Sequence, residues 1–423
     1  MSRCWPSLLV VAVLTAACSS SSYGSEHIDS FDTAWATIDQ EFYDPEFAGV
    51  DWDGMRDRYR PLALDARDHE EFLLVVNEML FQLGVSHTGV LPAEDLEQLD
   101  PILTSPGWAG FDVRLIGDVC VVTEVEPGSP ADVAGLRPGF VLASVSGESV
   151  EEIVANVPPV PPVHERGRRS AQTNQVRERL YGEPQTELQV TYRDDGDEIQ
   201  ETTLSLVSRG SSSEITPELP PAYTELTVSR LEGGIGYIAF NAFLPNLLEP
   251  ISDAIGEMTD ARGLVIDLRG NHGGVFPVRE ALVDQLVDKP NLIWTYRTRD
   301  EPVEVYAEPT SSPYDGPLVV IVDVLSASSA EEFAGALQAM GRAVIVGERT
   351  AGRVLVQTDV QLPNGDLMIY PFAQTMVSDG TVLESHGVIP DWPAPLSREE
   401  LLAGNDTPLE TAIGYVESQP AGR

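Results

Sequence analysis

The spacing of apolar residues divides the chain into a helical start, a strand-rich middle and an alternating end. Phe31, Trp35 and Ile38 recur at helical spacing, and residues 72–83 form a second apolar-rich helix that ends at Gly84. Between residues 105 and 208 the pattern changes to short β-branched strands, of which 119–125 is the clearest. From about residue 223 onward, apolar strands alternate with helices, which is the pattern of layered α/β domains.

The alternating region predicts five strands with two helices between them. The strands are 235–240, 263–267, 292–298, 318–323 and 343–347, and the helices are 277–287 and 330–340. In the middle region, a charged helix over 163–180 precedes the predicted closing strands 188–192 and 202–206. After residue 395 the sequence is polar and acidic, and it is assigned no chemistry.

The first 18 residues have the features of an export signal. Arg3 supplies the positive charge, residues 8–14 form an apolar run too short to span a bilayer permanently, and small residues precede Cys18. This arrangement resembles a bacterial lipoprotein signal, which implies lipid on Cys18 and an extracytoplasmic, membrane-anchored protein. Thr15 departs from that pattern, since such signals usually carry Leu, Val or Ile there, and plain cleavage with release is the alternative.

The excess of acidic residues argues against some classes of binding partner. The chain contains 26 Lys and Arg against 67 Asp and Glu, a net charge of −41. Such an acidic surface repels phosphates, which argues against nucleic-acid binding. If Cys18 carries lipid and Cys4 is lost with the signal, Cys120 is the remaining cysteine, so no disulfide framework forms. The six histidines are scattered without metal-ligand spacing, so neither a metal nor another cofactor is predicted.

Two glycines follow the predicted strand 263–267 in the segment 267–274. Gly273 and Gly274 allow the backbone to turn sharply and to direct N–H groups into a cleft. The same pattern also occurs in ordinary tight turns between a strand and a helix. Taken alone, this segment is therefore weak evidence for a functional site.

A serine triplet follows the predicted strand 318–323 and opens the next helix. Ser326, Ser328 and Ser329 lie where the positive end of the helix dipole stabilises an oxyanion. Serine is also a preferred helix cap, so a purely structural role competes with a catalytic one. A third segment, 348–353, follows the strand 343–347 and ends at Arg353.

These three segments, in this order, resemble those of the C-terminal processing and tricorn serine peptidases. The sequences GYIAF at 236–240 and HGVIPD at 386–391 match the same family. The resemblance covers nearly the whole mature chain, and it implies a crotonase/Clp-protease-like α/β core. It also implies that Ser328 is the nucleophile of an endopeptidase, which cleaves unfolded or C-terminally exposed polypeptide through an acyl-enzyme.

The two branches of this family use different bases, and the sequence separates them. The tail-specific branch uses a lysine where this chain has Arg353, and arginine stays protonated and cannot accept a proton. The one lysine of the chain, Lys289, lies far from the motif. The tricorn branch implies instead that His87 is the base and that Ser86 and Glu384 orient it.

Other histidines remain as rival bases, and the oxyanion donors are left partly open. His386 lies two residues from Glu384, and His272 lies inside the glycine segment. The resemblance implies an oxyanion hole formed by the backbone N–H of Ser329 together with that of one of the two glycines, Gly273 or Gly274.

The middle region resembles a PDZ domain in the segments PGSPADVAGLRPGFVL at 127–142 and VSGESV at 145–150. Such domains take up an extended peptide as an added strand and hold its carboxylate on backbone N–H groups. A PDZ-shaped spacer that binds nothing is the alternative. The matching peptide-binding loop consists of Gly110, Phe111, Asp112 and Val113.

The predicted organisation is therefore a multi-domain α/β protein. Its parts are a lipoprotein signal peptide (1–18), a polar linker (19–27), a helical region (28–98), a PDZ-like domain with an insertion (105–208), a peptidase core (223–395) and an acidic tail (396–423). Rival functions are a non-catalytic binding protein or scaffold, because retinoid-binding proteins share the fold, and a lipid or cell-wall hydrolase. A binding protein would not need the complete set of Ser328, His87 and Glu384.

Overall fold

The computed structural model describes residues 20–93, 100–158, 161, 164–210, 212–213 and 220–420. The proposed lipid attachment at Cys18 and the signal peptide lie outside these residues. None of the helices within the described ranges is long and apolar enough to cross a membrane.

Helices lie at both ends of the chain and between the strands of the core. Those in the described ranges are α1 (Ser20–Glu41), α2 (Trp52–Asp65), α3 (His69–Phe81), α4 (Pro101–Thr104), α5 (Pro130–Val133), α6 (Val150–Ala155), α7 (Glu165–Glu178), α8 (Pro245–Glu257), α9 (Phe276–Asp284), α10 (Ser329–Ala339), α11 (Arg398–Leu402) and α12 (Thr407–Ser418). Two short 3-10 turns occupy Phe47–Gly49 and Glu232–Gly234.

Strands fill the middle and the core. Those described are β1 (Gly89–Leu91), β2 (Gly107–Trp108), β3 (Phe111–Ile116), β4 (Val119–Val125), β5 (Val141–Val145), β6 (Glu148–Ser149), β7 (Tyr181–Gly182), β8 (Glu187–Arg193), β9 (Ile199–Ser205), β10 (Val207–Ser208), β11 (Ser212–Ser213), β12 (Ala222–Tyr223), β13 (Leu226–Leu231), β14 (Ile235–Phe240), β15 (Leu264–Asp267), β16 (Leu292–Thr298), β17 (Val303–Tyr306), β18 (Leu318–Val322), β19 (Val344–Gly347), β20 (Leu355–Gln361), β21 (Leu367–Val377) and β22 (Trp392–Pro393).

The central sheet has the strand order β13-β14-β15-β18-β19-β22, and all of its pairs except β13–β14 are parallel. Every residue of β15 and β18 is buried, because layers cover both faces of this sheet. Ile266 and Val320 pack towards the helices α8, α9 and α10. Val265 and Val319 pack on the opposite face, against α12. The mixed α/β class predicted from the alternating pattern is confirmed.

The N-terminal helices are joined to the core through a second sheet with the order β1-β21-β16-β17, in which β20 also pairs with β21. Helices α1, α2 and α3 bury Phe31, Tyr59 and Phe72 in one cluster with Met368 of β21. Helix α1 begins at Ser20, within the segment predicted as a polar linker. The chain continues as helix there because serine and glycine do not exclude it, although the apolar periodicity starts later.

The strand-rich middle forms a sheet with the order β3-β4-β5-β8-β9, and we call residues 107–208 the β-rich unit. Strand β3 lies at the edge of this sheet and packs beside α7, the helix that the insertion contributes.

The predicted acidic tail contains two helices. Helix α12 covers the rear face of the central sheet with Ala412 and Val416, both fully buried. A Cβ on Gly263 would lie 2.4 Å from Cγ1 of Val416, so the glycine before β15 allows this helix to pack closely. The tail therefore completes the core sandwich.

Candidate active site

Ser328 stands between the parallel strand β18 and helix α10. Its backbone has φ 54° and ψ −123°, outside the conformations that residues other than glycine usually adopt. Such strain is held in place by surrounding structure and is concentrated at functional sites. Ser328 occupies the N-cap position of α10, yet its side chain makes no capping hydrogen bond. The capping role that competes with catalysis is therefore absent here.

The other two serines of the triplet are tied to the backbone. The Ser326 hydroxyl donates to the carbonyl oxygen of Leu268 at 2.7 Å and is fully buried. The Ser329 hydroxyl donates to the carbonyl oxygen of Gly274 at 2.8 Å. Within the described part of the chain, the Ser328 hydroxyl has no such bond. Of the three serines, Ser328 therefore has the hydroxyl that is available to react.

Ser86, His87 and Glu384 meet in one hydrogen-bonded chain. The Ser86 hydroxyl donates to Oε2 of Glu384 at 2.9 Å and lies 2.7 Å from Nδ1 of His87. A hydroxyl has one proton to give, so Ser86 Oγ must accept from His87, and Nδ1 carries the hydrogen. This arrangement leaves Nε2 as the proton-accepting nitrogen of the imidazole.

Burial changes the pKa values of His87 and Glu384. Burial, and secondarily the charge of Arg353, lower the pKa of His87 to about 3, so its imidazole is neutral at physiological pH. Burial raises the pKa of Glu384, while its hydrogen bonds with Val354 and Ser86 oppose the rise. The Glu384 carboxylate accepts from three donors, the backbone N–H of Ser86, the Ser86 hydroxyl and the backbone N–H of Val354.

The backbone of residues 353–354 lies between the Ser86–His87–Glu384 chain and Ser328. Ser328 N–H donates to the Arg353 carbonyl oxygen at 2.9 Å, and the next residue, Val354, donates to Glu384 at 2.8 Å. No hydrogen bond joins His87 to the Ser328 hydroxyl among the described residues. Contacts of this kind commonly tighten only when substrate binds. His87 also has a positive φ, 57°, which is a second strained position among the candidate catalytic residues.

The glycine segment lies directly against Ser328. A Cβ on Gly273 would lie 2.7 Å from the Ser328 Cβ, so this position requires glycine. The Gly273 N–H already donates to Oδ1 of Asn271 at 2.9 Å, whereas Gly274 is exposed and its N–H donates to no group that the structure describes. Ser329 is the first residue of α10, where N–H groups lack an acceptor within the helix.

The rival histidines lie outside the Ser86–Glu384 chain. His386 is exposed, and its Nδ1 lies 2.9 Å from the carbonyl oxygen of Glu384. His272 lies between Arg177 and Asp100, with both contacts at 3.2 Å. Of the three candidate bases, His87 alone contacts Ser86.

Arg353 stands where the tail-specific peptidases have lysine, and its backbone is held by Glu331. The Glu331 carboxylate is fully buried and accepts from the Thr350 hydroxyl and from the backbone N–H groups of Gly352 and Arg353. Burial raises the pKa of Glu331 to about 7. Glu331 thus ties the 350–353 segment to the first turn of α10, directly after Ser328.

Of the predicted peptide-binding loop, Gly110 precedes the edge strand β3, whereas Phe111, Asp112 and Val113 are the first residues of that strand. Asp112 forms ion pairs with Arg114 and Arg177, at 2.6 and 2.8 Å, and also accepts from the Val113 N–H. The Gly110 carbonyl oxygen accepts from the Ser129 hydroxyl at 3.1 Å. The edge of β3 is therefore partly occupied by the protein's own side chains.

Sequence reasoning missed the ion pair that joins the β-rich unit to the core. Arg114 Nε donates to Oδ2 of Asp323 at 2.8 Å, and Asp323 Oδ1 accepts from the Gly270 and Ser326 N–H groups. Burial raises the pKa of Asp323, but the Arg114 charge and the Gly270 N–H outweigh it, so the pKa lies below the ordinary value. The partners are 209 positions apart, and no local pattern marks the pair.

Comparisons with known proteins agree with this geometry. A family model described as Peptidase family S41 matches residues 234–394, and one described as the tricorn protease C1 domain matches residues 25–81. The chain is 27% identical over 373 residues to the chloroplastic C-terminal processing peptidase of Tetradesmus obliquus, covering 85% of this chain and 75% of that protein.

Two further relatives connect the whole chain to the same group. Tricorn protease homolog 2 of Streptomyces coelicolor is 25% identical over 430 residues, covering 94% of this chain and 33% of that protein. The solved structure of the photosystem II D1 C-terminal processing protease superposes with a TM-score of 0.59 and 25% identity, covering 93% of this chain and 98% of that one.

Proposed function

Because the chain belongs to peptidase family S41 and is a serine-type peptidase, we propose that its acyl-enzyme forms on Ser328, with His87 as general base. One observation carries this proposal. Ser328 has the one hydroxyl of the triplet that makes no bond within the described structure, and it lies on a strained turn. The tautomer of His87 is fixed by Ser86. The substrate class is unfolded or C-terminally exposed polypeptide.

The reaction follows from the orientation of the imidazole. Nε2 of His87 takes the Ser328 proton as Oγ attacks the scissile carbonyl carbon, and the imidazolium then returns the proton to the leaving amine. Ser86 and Glu384 orient the ring from behind and stabilise its positive charge. Water, deprotonated by the same nitrogen, then hydrolyses the ester on Ser328 and releases the second product.

The N–H groups of Ser329 and Gly274 are the proposed oxyanion donors. Gly273 is the less suitable glycine, because its N–H is already bonded to Asn271. The role that remains for Gly273 is steric, since only a residue without Cβ allows this loop to approach Ser328.

A fluorophosphonate probe tests the nucleophile. We expect the probe to add a single label, located on Ser328 by peptide mass spectrometry, and Ser328→Ala to abolish the labelling. Ser329→Ala should keep the label, since it leaves the Ser328 hydroxyl intact. A label on Ser326 or Ser329, or labelling that survives in Ser328→Ala, would show that the assignment is wrong.

We further propose that the β-rich unit is a PDZ domain that adds a peptide strand along β3. Its support is the edge position of β3 beside α7, since Gly110 to Val113 include the first residues of that strand. Hydrogen exchange on Ser328→Ala tests it, with a peptide that ends in an apolar residue and a free carboxylate. Slower exchange in β3 supports the proposal, and slowing confined to the core argues for a mere spacer.

A lipid anchor on Cys18 is the third part of the proposal, and its support is the signal-like sequence before that residue. Intact mass measurement of protein purified from membranes should find a lipidated N-terminal cysteine. Cys18→Ser should block the modification. A mature N-terminus at another residue without lipid mass would refute the anchor and leave the peptidase assignment untouched.

A further inference from the structure

Two arginines bond to the segment 385–387, and a third follows the glycine on which that segment packs. Arg166 and Arg349 both donate to the carbonyl oxygen of His386, at 3.2 and 2.6 Å, and Arg166 also donates to that of Ser385 at 2.8 Å. The same segment packs on Gly352, where a Cβ would lie 3.0 to 3.1 Å from its backbone atoms. Arg353 follows directly in the chain. Burial and then the charges of Arg166, Arg349 and Arg353 lower the pKa of His164, so the three guanidinium groups lie around that histidine. We call Arg166, Arg349 and Arg353 the arginine cluster.

The guanidinium groups of the arginine cluster form no close ion pair among the described residues, although the charges of Glu384 and Glu331 act on Arg353 from a longer distance. None of its guanidinium groups lies within 4.0 Å of a carboxylate of the described residues, although the chain has 67 acidic residues and a net charge of −41. Thirteen other arginines do form such ion pairs. Like charges that form no close ion pair repel one another, and a bound anion relieves that repulsion.

Two buried nitrogen atoms at the cluster also lack partners. Arg166 Nε and the nearby His164 Nε2 are both buried without a hydrogen-bond partner in the described structure. His164 caps α7 through its other ring nitrogen, which accepts from the Gly167 N–H at 2.8 Å. Buried polar atoms of this kind are normally bonded, and a ligand at the arginine cluster would supply the missing partners.

The cluster is joined to the reacting groups. The Arg353 carbonyl oxygen accepts from Ser328 N–H at 2.9 Å, and its N–H donates to Glu331 at 2.9 Å. The Arg353 side chain is half-buried and makes no hydrogen bond or ion pair with any described residue. An arginine whose backbone is held in place and whose guanidinium makes no bond is suited to bind a carboxylate.

We propose that the arginine cluster binds a carboxylate of the polypeptide substrate beside the scissile bond, and that Arg353 determines this preference. The carboxylate comes from an acidic side chain or from the C-terminus of the polypeptide, since both present the same planar group to a guanidinium. The proposal rests on the proposed function in taking polypeptide as the ligand, but it concerns binding rather than the chemical step.

Peptide binding to Ser328→Ala tests the proposal without requiring turnover. The probes are fluorescein-labelled unstructured peptides in two matched pairs. One pair has amidated ends and differs in Glu against Gln, and the other pair is neutral and differs in a free or amidated C-terminus. Affinities from fluorescence anisotropy are compared in Ser328→Ala, in Ser328→Ala with Arg353→Gln, and in Ser328→Ala with Arg168→Gln. Arg168 is the matched control, because it is an exposed arginine of α7 without an ion pair.

We expect the carboxylate member of at least one pair to bind about tenfold more tightly, and Arg353→Gln to remove that preference. Arg168→Gln should retain it. The pair that responds identifies the source of the carboxylate. Equal affinities within both pairs, or a preference that survives Arg353→Gln, would overturn the proposal. A preference that depends on Arg353 supports it even if Ser328 proves not to be the nucleophile.

Discussion

His87 is kept neutral by its surroundings, and this sets the acid limit of activity. Burial and then the Arg353 charge lower its pKa to about 3 from the ordinary 6.5. A base is lost only below its pKa, so the acid limb of kcat/KM should lie well below pH 6.5. Removing the Arg353 charge should move the limb to higher pH.

The measurement is kcat/KM for a neutral fluorogenic peptide against pH, in the wild type and in Arg353→Gln. A limb near 6.5 in both proteins would contradict the described environment of His87. His87→Ala should remove nearly all turnover, because no other imidazole among the described residues bonds to Ser86.

Glu384 holds three donors with two oxygens, so its replacement by the isosteric amide is informative. Glu384→Gln would place an NH2 group against one of the N–H or O–H donors. The buried donors left without an acceptor would cost about 1–3 kcal/mol of stability. We expect weak residual activity together with a lowered melting temperature. Glu399→Gln, at an exposed position, should change neither. Full activity in Glu384→Gln would exclude Glu384 from orienting the base.

At the scale of elements, Glu331 connects helix α10 to the segment that carries Arg353. Burial raises its pKa to about 7 from 4.5, so the folded protein holds this proton more tightly than the unfolded chain. The corresponding stability is complete below pH 4.5 and is lost as pH rises to about 7. Glu331→Gln should lower the melting temperature overall. Because glutamine does not titrate, the melting temperature of this variant should fall less than that of the wild type as the pH rises across that range.

Differential scanning fluorimetry on both proteins, at several pH values between 4.5 and about 7, measures this difference. Parallel curves for the wild type and the variant would show that Glu331 does not titrate there. The difference between the two curves isolates Glu331, because His87 contributes equally to both.

Elements with strong apolar patterns could be predicted from the sequence, and several boundaries agree closely. The predicted strands 235–240 and 292–298 coincide with β14 and β16, because both segments are rich in β-branched and aromatic residues. Helix α12 escaped prediction, since its polar exposed face masks the residues that pack on Gly263. The pairing of β16 with β21, rather than with the central sheet, also has no local signal.

Some parts of the candidate site could likewise be predicted from the sequence, and others could not. Ser328 and the glycine segment follow buried strands, so their positions could be read from the chain order. The arginine cluster could not, because Arg166 reaches Ser385 across 219 positions and its role depends on a packing contact.

At the scale of the whole molecule, the buried ion pair of Arg114 and Asp323 joins the β-rich unit to the loop between β18 and α10. Arg114→Leu would leave the Asp323 carboxylate buried without its charged partner, which typically costs about 3–5 kcal/mol. We expect a lower free energy of unfolding in urea and a reduced rate of fluorophosphonate labelling, since Asp323 also positions the Ser326 N–H.

Arg137→Leu is the matched control, because its pair with Asp132 is exposed and belongs to one unit. Such surface pairs contribute about 0–1 kcal/mol. If the two variants lose similar amounts of unfolding free energy, the pair of Arg114 and Asp323 contributes no more to stability than an exposed surface pair.

The hydrogen bonds between Ser86 and Glu384 join positions that are 298 residues apart. During synthesis, the ribosome makes Ser86, His87 and Ser328 before it reaches Glu384, the carboxylate that we propose to orient the base. The growing chain therefore has a nucleophile but lacks a correctly held imidazole, and α12, which closes the rear of the core, is made later still. On the proposed mechanism, the active arrangement can therefore form only after the segments that carry Glu384 and α12 have been made and have packed on the core.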